Sequence, residues 1–403
     1  MFYGWKVCSV SCLGNLLVVG GVTYIMNAFM EPMSSLHGWT RADIGGAVGL
    51  ATLCGTLSMP VLASLAIRHS LRLMTTLGMA CGGLAFMGLG FVGTLPAFTV
   101  LFALAWVAGQ ACGGVVGNAL MGNWFVRCRG RAFGLANLGT SLSGTVLPFI
   151  ALVLVNQCDV RTAFLVIGGF ILALAPLCWA VVRDTPEELG LSPDGAAPPA
   201  SAAPVSPLIV PWRDLLVRRE AYCIGLSFGF GLLAAAGVLG QLKPRFADLG
   251  FSDYAAMGFM CLTALFAAGG KYLWGWVCDL RTPLFSAKIL MLANVFALGL
   301  AFLPQNPASV LLFATVGGAC LGGFWTVLPA VVAHVFGRRR FVPVYRFVTV
   351  YPVMGFSYQW TGSYDAGYLL CTGILLACFL MMLTVREPDS VSESGASIGA
   401  VGV

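Results

Sequence analysis

The sequence predicts an all-α polytopic membrane protein whose twelve transmembrane helices form two pseudo-symmetric six-helix bundles. Hydrophobic residues make up 59% of its 403 residues and charged residues only 9%, with a mean hydropathy of +0.89. No water-soluble globule has enough core to bury so much apolar surface. Apolar stretches of about 20 residues, the length a helix needs to cross the hydrocarbon layer, recur along nearly the whole chain. The short alternating segments of a transmembrane barrel are missing. The two halves also correspond without a gap. The displacement that carries "WFVRCRGRAFG" (Trp124 to Gly134) onto "FGRRRFVPVYR" (Phe336 to Arg346) also carries "ASLAIR" (Ala63 to Arg68) onto "GWVCDL" (Gly275 to Leu280).

Helix 1 is expected over 5–30. It is long, carries little positive charge ahead of it and is followed by no small-residue cleavage site, so it reads as a retained span rather than a cleaved signal. Helix 2 (42–66) runs up to Arg68 and Arg72, helix 3 covers 72–93, and helix 4 (96–122) precedes Arg127, Arg129 and Arg131. Helices 5 (131–155) and 6 (161–182) complete the first bundle, 1–182. Helix 7 (221–242) opens the second, 221–385. Helix 8 (254–278) is closed by Asp253 and Asp279, helix 9 covers 284–303, and helix 10 (307–333) is followed by Arg338 to Arg340. Helices 11 (341–359) and 12 (365–385) end the bundle. Between the halves, 183–220 reads as a linker whose middle, "PDGAAPPASAAPVSPLIVP", has too few large apolar residues to fold alone. The tail 386–403 is expected to be disordered.

Loops rich in Lys and Arg are retained in the cytoplasm. The even-numbered connections hold most of these residues, including Arg183, Arg213, Arg218 and Arg219 in the linker; the odd ones have only Arg41, Arg161, Lys243 and Arg245. Both termini are therefore expected in the cytoplasm, and the net charge of +6 needs no nucleic acid to explain it.

Lys271 is the only charge between Asp253 and Asp279. It lies eight residues before Asp279, roughly 12 Å from that end by the helical rise. That is deep for a lysine stem reaching to the headgroups, and ionisable residues at such depth usually serve a pathway or a site. Repeated halves with a midplane site between them are typical of secondary transporters.

Several stretches carry a family resemblance: "FYGWKV" at the start, "AFMEPMSSLHGWTRADI" (Ala28 to Ile44), "NWFVRCRGRAFGLANLGTSLSG" (Asn123 to Gly144) and "RDTPEELGLSPDG" (Arg183 to Gly195). The chain resembles the major facilitator superfamily, and within it the bacterial monocarboxylate transporter-like and oxalate/formate antiporter group, over nearly its whole length. The resemblance implies a secondary active transporter of small organic anions, monocarboxylates above all, in a bacterial cytoplasmic membrane and with no cofactor. Lys271 followed by Gly275 matches the arginine and glycine that members place in helix 8 to bind carboxylate. Lysine offers a point charge in place of a bidentate fork. The acid that proton-coupled members place one turn earlier is Ala267 here, and the second cation of oxalate-type members is missing from the middle of helix 11, where only Arg346 lies near the inner end. One unpaired cation favours a single carboxylate, moved by exchange or with a proton carried by the lysine itself.

The resemblance also implies a charge latch after helix 2, whose positions are here Ala63, Ile67 and Arg68; the acid survives only in the second half, as Gly275, Asp279 and Arg281. Gating is thus expected of Asp279, Arg281 and Arg68. Tyr24, Asn27, Asn118, Asn137, Trp325 and Tyr351 are candidates to line the site, although helix packing explains each of them as simply. Glu31, His37, His69 and His334 read as residues of helix ends and loops. Fourteen cysteines show no C-x-x-C spacing, so neither a metal site nor a disulfide is implied. No G-x-x-x-x-G-K-[ST] loop exists for ATP, and no nucleophile and base stand in a plausible setting, so an enzyme is not expected. Two alternatives remain: efflux of hydrophobic or cationic compounds, which calls for a deep acid, and a non-transporting sensor.

Overall fold

The structure, a computed structural model, describes residues 2–195, 218–248, 253–300, 306–348 and 364–385, and all regular structure among them is helical. The first half holds α1 (Gly4–Gly14), a π-helical segment (Asn15–Val19), α2 (Gly20–Tyr24), α3 (Met26–His37), α4 (Arg41–Arg68), α5 (Leu71–Leu89), α6 (Leu95–Cys112), α7 (Val115–Trp124), α8 (Arg129–Gln157), α9 (Val160–Ala173) and α10 (Ala175–Val181). The second holds α11 (Arg219–Asp248), α12 (Asp253–Leu280), α13 (Pro283–Gly299), α14 (Pro307–Val348) and α15 (Tyr364–Leu383). Expected helices 1, 4 and 6 are each broken into segments. The break in helix 4 falls at Gly113 and Gly114, where the π-helical segment of the first span presses its Asn15 amide against Gly113. Expected helices 10 and 11 share the α14 label, but Gly337 divides them with φ +72° and ψ 172°. Glycine adopts that left-handed φ at no steric cost. The part of helix 11 beyond Val348 lies outside the described residues.

Helix starts follow local chemistry. Thr40 and Asp43 form a reciprocal capping box at α4, with Thr40 Oγ1 accepting from the Asp43 N–H (3.1 Å) and the Asp43 carboxylate accepting from the Thr40 N–H (3.0 Å). Asp159 caps α9 and Thr282 caps α13. Seven described helices are long and apolar enough to cross a membrane. Phe149, Val100 and Phe296 point outward, each more than 60% exposed. That is the surface a lipid-facing helix presents.

Within the first half α5 packs between α6 and α9; within the second α12 packs on α14 and α11 on α15. The halves meet chiefly where α12 crosses α8, with α14 also lying against α4, α7 and α8. Glycines set the closeness of the main crossing. A Cβ on Gly130 or on Gly275 would overlap the other's carbonyl oxygen, and one on Gly134 would lie 2.6 Å from the Lys271 carbonyl oxygen. Small residues bring helix backbones together in this way where lipid supplies no hydrophobic drive.

Gly275→Ala is therefore expected to separate α12 from α8 at a cost of about 1–3 kcal/mol. Maleimide labelling of Cys278, which is buried at this crossing, should accelerate when Cys278 is the sole cysteine. Gly269→Ala, on the same helix with nothing within 4 Å, should leave the rate alone. Equal rates in both variants would show that the crossing tolerates a methyl group.

Candidate functional site

Lys271 is buried, 4% exposed, and its side chain runs across the interface toward the other half. Its Nζ donates to the carbonyl oxygen of Asn137 (2.8 Å) and to Thr140 Oγ1 (2.6 Å), both on α8; the Thr140 hydroxyl in turn donates to the Asn137 carbonyl (2.6 Å). No carboxylate pairs with it among the described residues. Ala267, at the position where an acid could stand one turn earlier, packs its carbonyl against Gly322 of α14. An ammonium taken out of water without a counter-ion is costly, and hydrogen bonds to neutral oxygens offset only part of that cost. The third N–H of Lys271 has no acceptor among the described residues.

A chain of amides continues from this point. The Asn137 side-chain amide donates to Asn118 Oδ1 (3.0 Å) and to the Phe133 carbonyl (2.9 Å), and the Asn118 amide donates to the Tyr345 hydroxyl (3.0 Å). Asn118 comes from α7, just after the Gly113–Gly114 break, and Tyr345 from the stretch of α14 beyond Gly337. Tyr345, Asn118, Asn137 and Lys271 thus make one buried polar seam in which two amides of the first half link a phenol and an ammonium of the second. Each amide finds partners, as buried polar groups must.

Asp279 lies near the end of the same crossing, at the end of the bundle where the chain passes from the first half to the second. Its carboxylate accepts from the backbone N–H groups of Gly130 (2.7 Å) and Arg131 (3.1 Å) and from Arg131 Nε (2.8 Å). An acid from one half therefore caps a helix N-terminus of the other, where unpaired N–H groups and the helix dipole favour negative charge. Beside it, Arg129 Nη1 donates to the Ala333 carbonyl (3.1 Å), and the Arg338 guanidinium grips Glu187 with both terminal nitrogens (2.6 and 2.9 Å). Burial raises the Glu187 carboxyl, but Arg338, the backbone of Glu187 and the side chain of Thr185 together outweigh it, so its pKa lies below the ordinary value.

The other expected residues are dispersed. Arg68 and Arg281 are exposed, and the partner of Asp279 is Arg131. Tyr24 is half-buried, its ring placed so that a Cβ on Gly144 of α8 would lie 3.2 Å away. Trp325 is 46% exposed and stands three residues after Gly322, which abuts the Lys271 backbone. The side chains of Asn27 and Arg346 and the whole of Tyr351 lie outside the described residues. Glu31 pairs with Arg41 on the surface, and His37 stacks on Trp39. Thr140, Tyr345, Arg131, Glu187 and Arg338 were not singled out from the sequence as site residues. The available signal was spacing: Thr140 lies one turn beyond Asn137 on the face of α8 that meets Lys271.

A family model described as Major Facilitator Superfamily matches residues 12–351. The chain belongs to the Major Facilitator Superfamily. Among its relatives, Monocarboxylate transporter 12 of Rattus norvegicus is 26% identical over 290 residues, 63% of this chain and 59% of that protein. Monocarboxylate transporter 11 of Mus musculus is 24% identical over 398 residues, 93% of this chain and 86% of that protein. The chain thus spans about three fifths of the length of the rat relative. Among solved structures it is similar to the human organic anion transporter MFSD10 (TETRAN), with a TM-score of 0.72 at 15% identity, covering 94% of this chain and 99% of that one. It is also similar to the proton:xylose symporter XylE, with a TM-score of 0.71 at 14% identity and 96% of each chain covered. At those identities the likeness is one of fold. The protein is a multi-pass membrane protein of the superfamily, and its helices are those of the twelve-helix superfamily fold.

Because the Glu187 pKa is depressed, the stability its carboxylate contributes is present above the ordinary carboxylate range and is lost as pH falls through its own lower value. Thermal unfolding of wild type and Glu187→Gln across about pH 7 to about pH 3 should show wild type more stable at the upper end and the gap closing at the lower. A gap independent of pH would mean that the ion pair contributes nothing.

Proposed function

We propose that this transporter is a secondary active carrier of small organic anions, monocarboxylates first among them, and that Lys271 is the cation that binds the carboxylate. One observation carries the reading: an ammonium buried where the halves meet, held by neutral oxygens, with no acidic partner among the described residues. An incoming carboxylate supplies the missing countercharge, and the free third N–H gives it a donor. The names of the relatives, monocarboxylate transporters, and of the organic anion transporter with the same fold support this substrate class.

Transport proceeds by alternating access, the two bundles rocking about a site near mid-membrane. With Ala267 in place of an acid, no prebuilt acid and cation relay is available for proton coupling. Anion exchange, or a proton carried by Lys271, drives the cycle. Asn118, Tyr24 and Trp325 border the path with amide, phenol and indole groups, and Asn27 and Tyr351 fall to the same role. Asp279 with Arg131 closes the linker end, with Arg68 and Arg281 as exposed charges beside it. The Arg-rich connections put that end and both termini in the cytoplasm. The relatives named above are eukaryotic, so the bacterial cytoplasmic membrane rests on the sequence motifs alone. Efflux of cations would require a deep acid, and Asp279 is engaged at the end of the bundle instead.

Purified protein in liposomes is expected to take up labelled lactate, pyruvate, formate or acetate saturably, and oxalate poorly, with stimulation by an internal counter-anion. Lys271→Ala should abolish uptake and Lys271→Arg retain part of it. If no carboxylate moves, or the alanine variant matches wild type, the assignment fails.

A further inference from the structure

We infer that Thr140 is a positioning residue: its hydroxyl holds the Lys271 ammonium across the interface in the anion-free carrier, so that the substrate-binding lysine is also the bolt that keeps the linker end shut. The inference rests on the carrier reading above and deepens it.

The geometry is that of a zipper closed from one end. Along the crossing of α12 with α8, Asp279 meets Gly130 and Arg131, Gly275 meets Gly130, Lys271 and Tyr272 meet Gly134, and the Lys271 ammonium meets Asn137 and Thr140. Toward Asp253, the described contacts of α12 turn to its own half, with Gly270 against Ala319, Ala267 against Gly322 and Thr263 against Gly318. The lysine bond is therefore the last cross-half hydrogen bond of this crossing among the described residues. It also differs from the others in kind, because its donor is the group proposed to bind substrate.

Opening the linker end pulls α12 away from α8 and strips the ammonium of both acceptors. In an empty carrier nothing replaces them, and a buried charge without partners is strongly disfavoured. In a loaded carrier the carboxylate moves with Lys271 and supplies what Asn137 and Thr140 gave up. The loaded form then crosses readily while the empty form is held back, which makes exchange outrun net flux. Of the two acceptors, the Asn137 oxygen belongs to the backbone and cannot be deleted. The Thr140 hydroxyl can.

Thr140→Val keeps the shape and removes the hydroxyl; Thr140→Ser keeps the hydroxyl. One lost hydrogen bond to a charged group should raise the open fraction of the empty carrier about tenfold. The first readout needs no substrate: spin labels at His69→Cys and Leu280→Cys, both exposed at the linker end, report the separation of the halves in anion-free liposomes otherwise lacking cysteine. Thr140→Val should populate the longer distance, Thr140→Ser should resemble wild type, and Thr140→Val should add nothing in a Lys271→Met background. The second readout is the ratio of net efflux to exchange, which should rise about tenfold in the valine variant and return with serine. A residue that merely packs would not move that ratio. If Thr140→Val leaves both the distances and the ratio as in wild type, or shifts the distances equally with Lys271 absent, the inference falls. If the distances shift as expected but no carboxylate is carried, the bolt stands and the substrate assignment is what fails.

Discussion

An unpaired ammonium buried between two bundles constrains this protein more than any other single group. A charged Lys271 is costly in a low-dielectric interior, and neutral oxygens around it offset part of that cost. Those oxygens come from the opposite half, so the group that donates across the interface is also the one proposed to bind an anion. The close glycine crossing below it permits that donation. Without Gly130, Gly134 and Gly275 the backbones of α8 and α12 would stand too far apart for the lysine to reach Asn137 and Thr140.

How much of this was legible in the sequence differs by level. The helical class and most span boundaries were readable because hydrocarbon thickness fixes the length of an apolar stretch, and no tertiary contact overrides that. The breaks were not readable in the same way. The divided fourth span has a local signal in the pair Gly113–Gly114, but its contact with Asn15 of another span is not encoded locally. Lys271 stood out as a charge within an apolar run, and its position was inferred from depth alone. Its acceptors stayed hidden because Asn137 contributes a carbonyl, a group every residue has, and Thr140 looks like any helix-packing hydroxyl. Asp279 was expected to work with Arg281, its neighbour in the motif. It pairs instead with Arg131, because the cross-half approach brings a helix N-terminus, with its unpaired N–H groups, to the carboxylate.

Two motifs recognised by resemblance alone gain a physical account. "FYGW" folds against the end of α7 and the start of the next loop: Phe2 packs on Trp124 and Phe125, and the Tyr3 hydroxyl donates to the Val181 carbonyl (2.8 Å). "RDTPEELGLSPDG" forms a strap over the same end. Its Asp184 accepts from the Arg72 N–H (2.7 Å) at the start of α5, and its Asp194 accepts from the N–H groups of Val126, Arg127 and Cys128 (2.6–3.3 Å). The strap therefore belongs to the first half by its hydrogen bonds. Among the described residues, its tie to the second is through Glu187 and Arg338.

That tie explains how the two halves differ despite their common plan. In the second half, Asp279 on a helix end caps the start of α8. The corresponding position in the first half is Ile67, which has no charge to offer the segment that begins after Gly337. Closure on that side falls to Glu187, reached from the strap rather than from a membrane helix, and its partner is a guanidinium rather than a row of backbone amides. The two clasps consequently answer to different things. A membrane helix carries the first, so in the proposed cycle it opens with the movement of α12 relative to α8 that also unseats Lys271. The strap, the described start of the expected linker, carries the second, and its pair shares no hydrogen bond with the buried seam. The asymmetry left by one missing acid thus separates the closure tied to Lys271 from the closure tied to the linker.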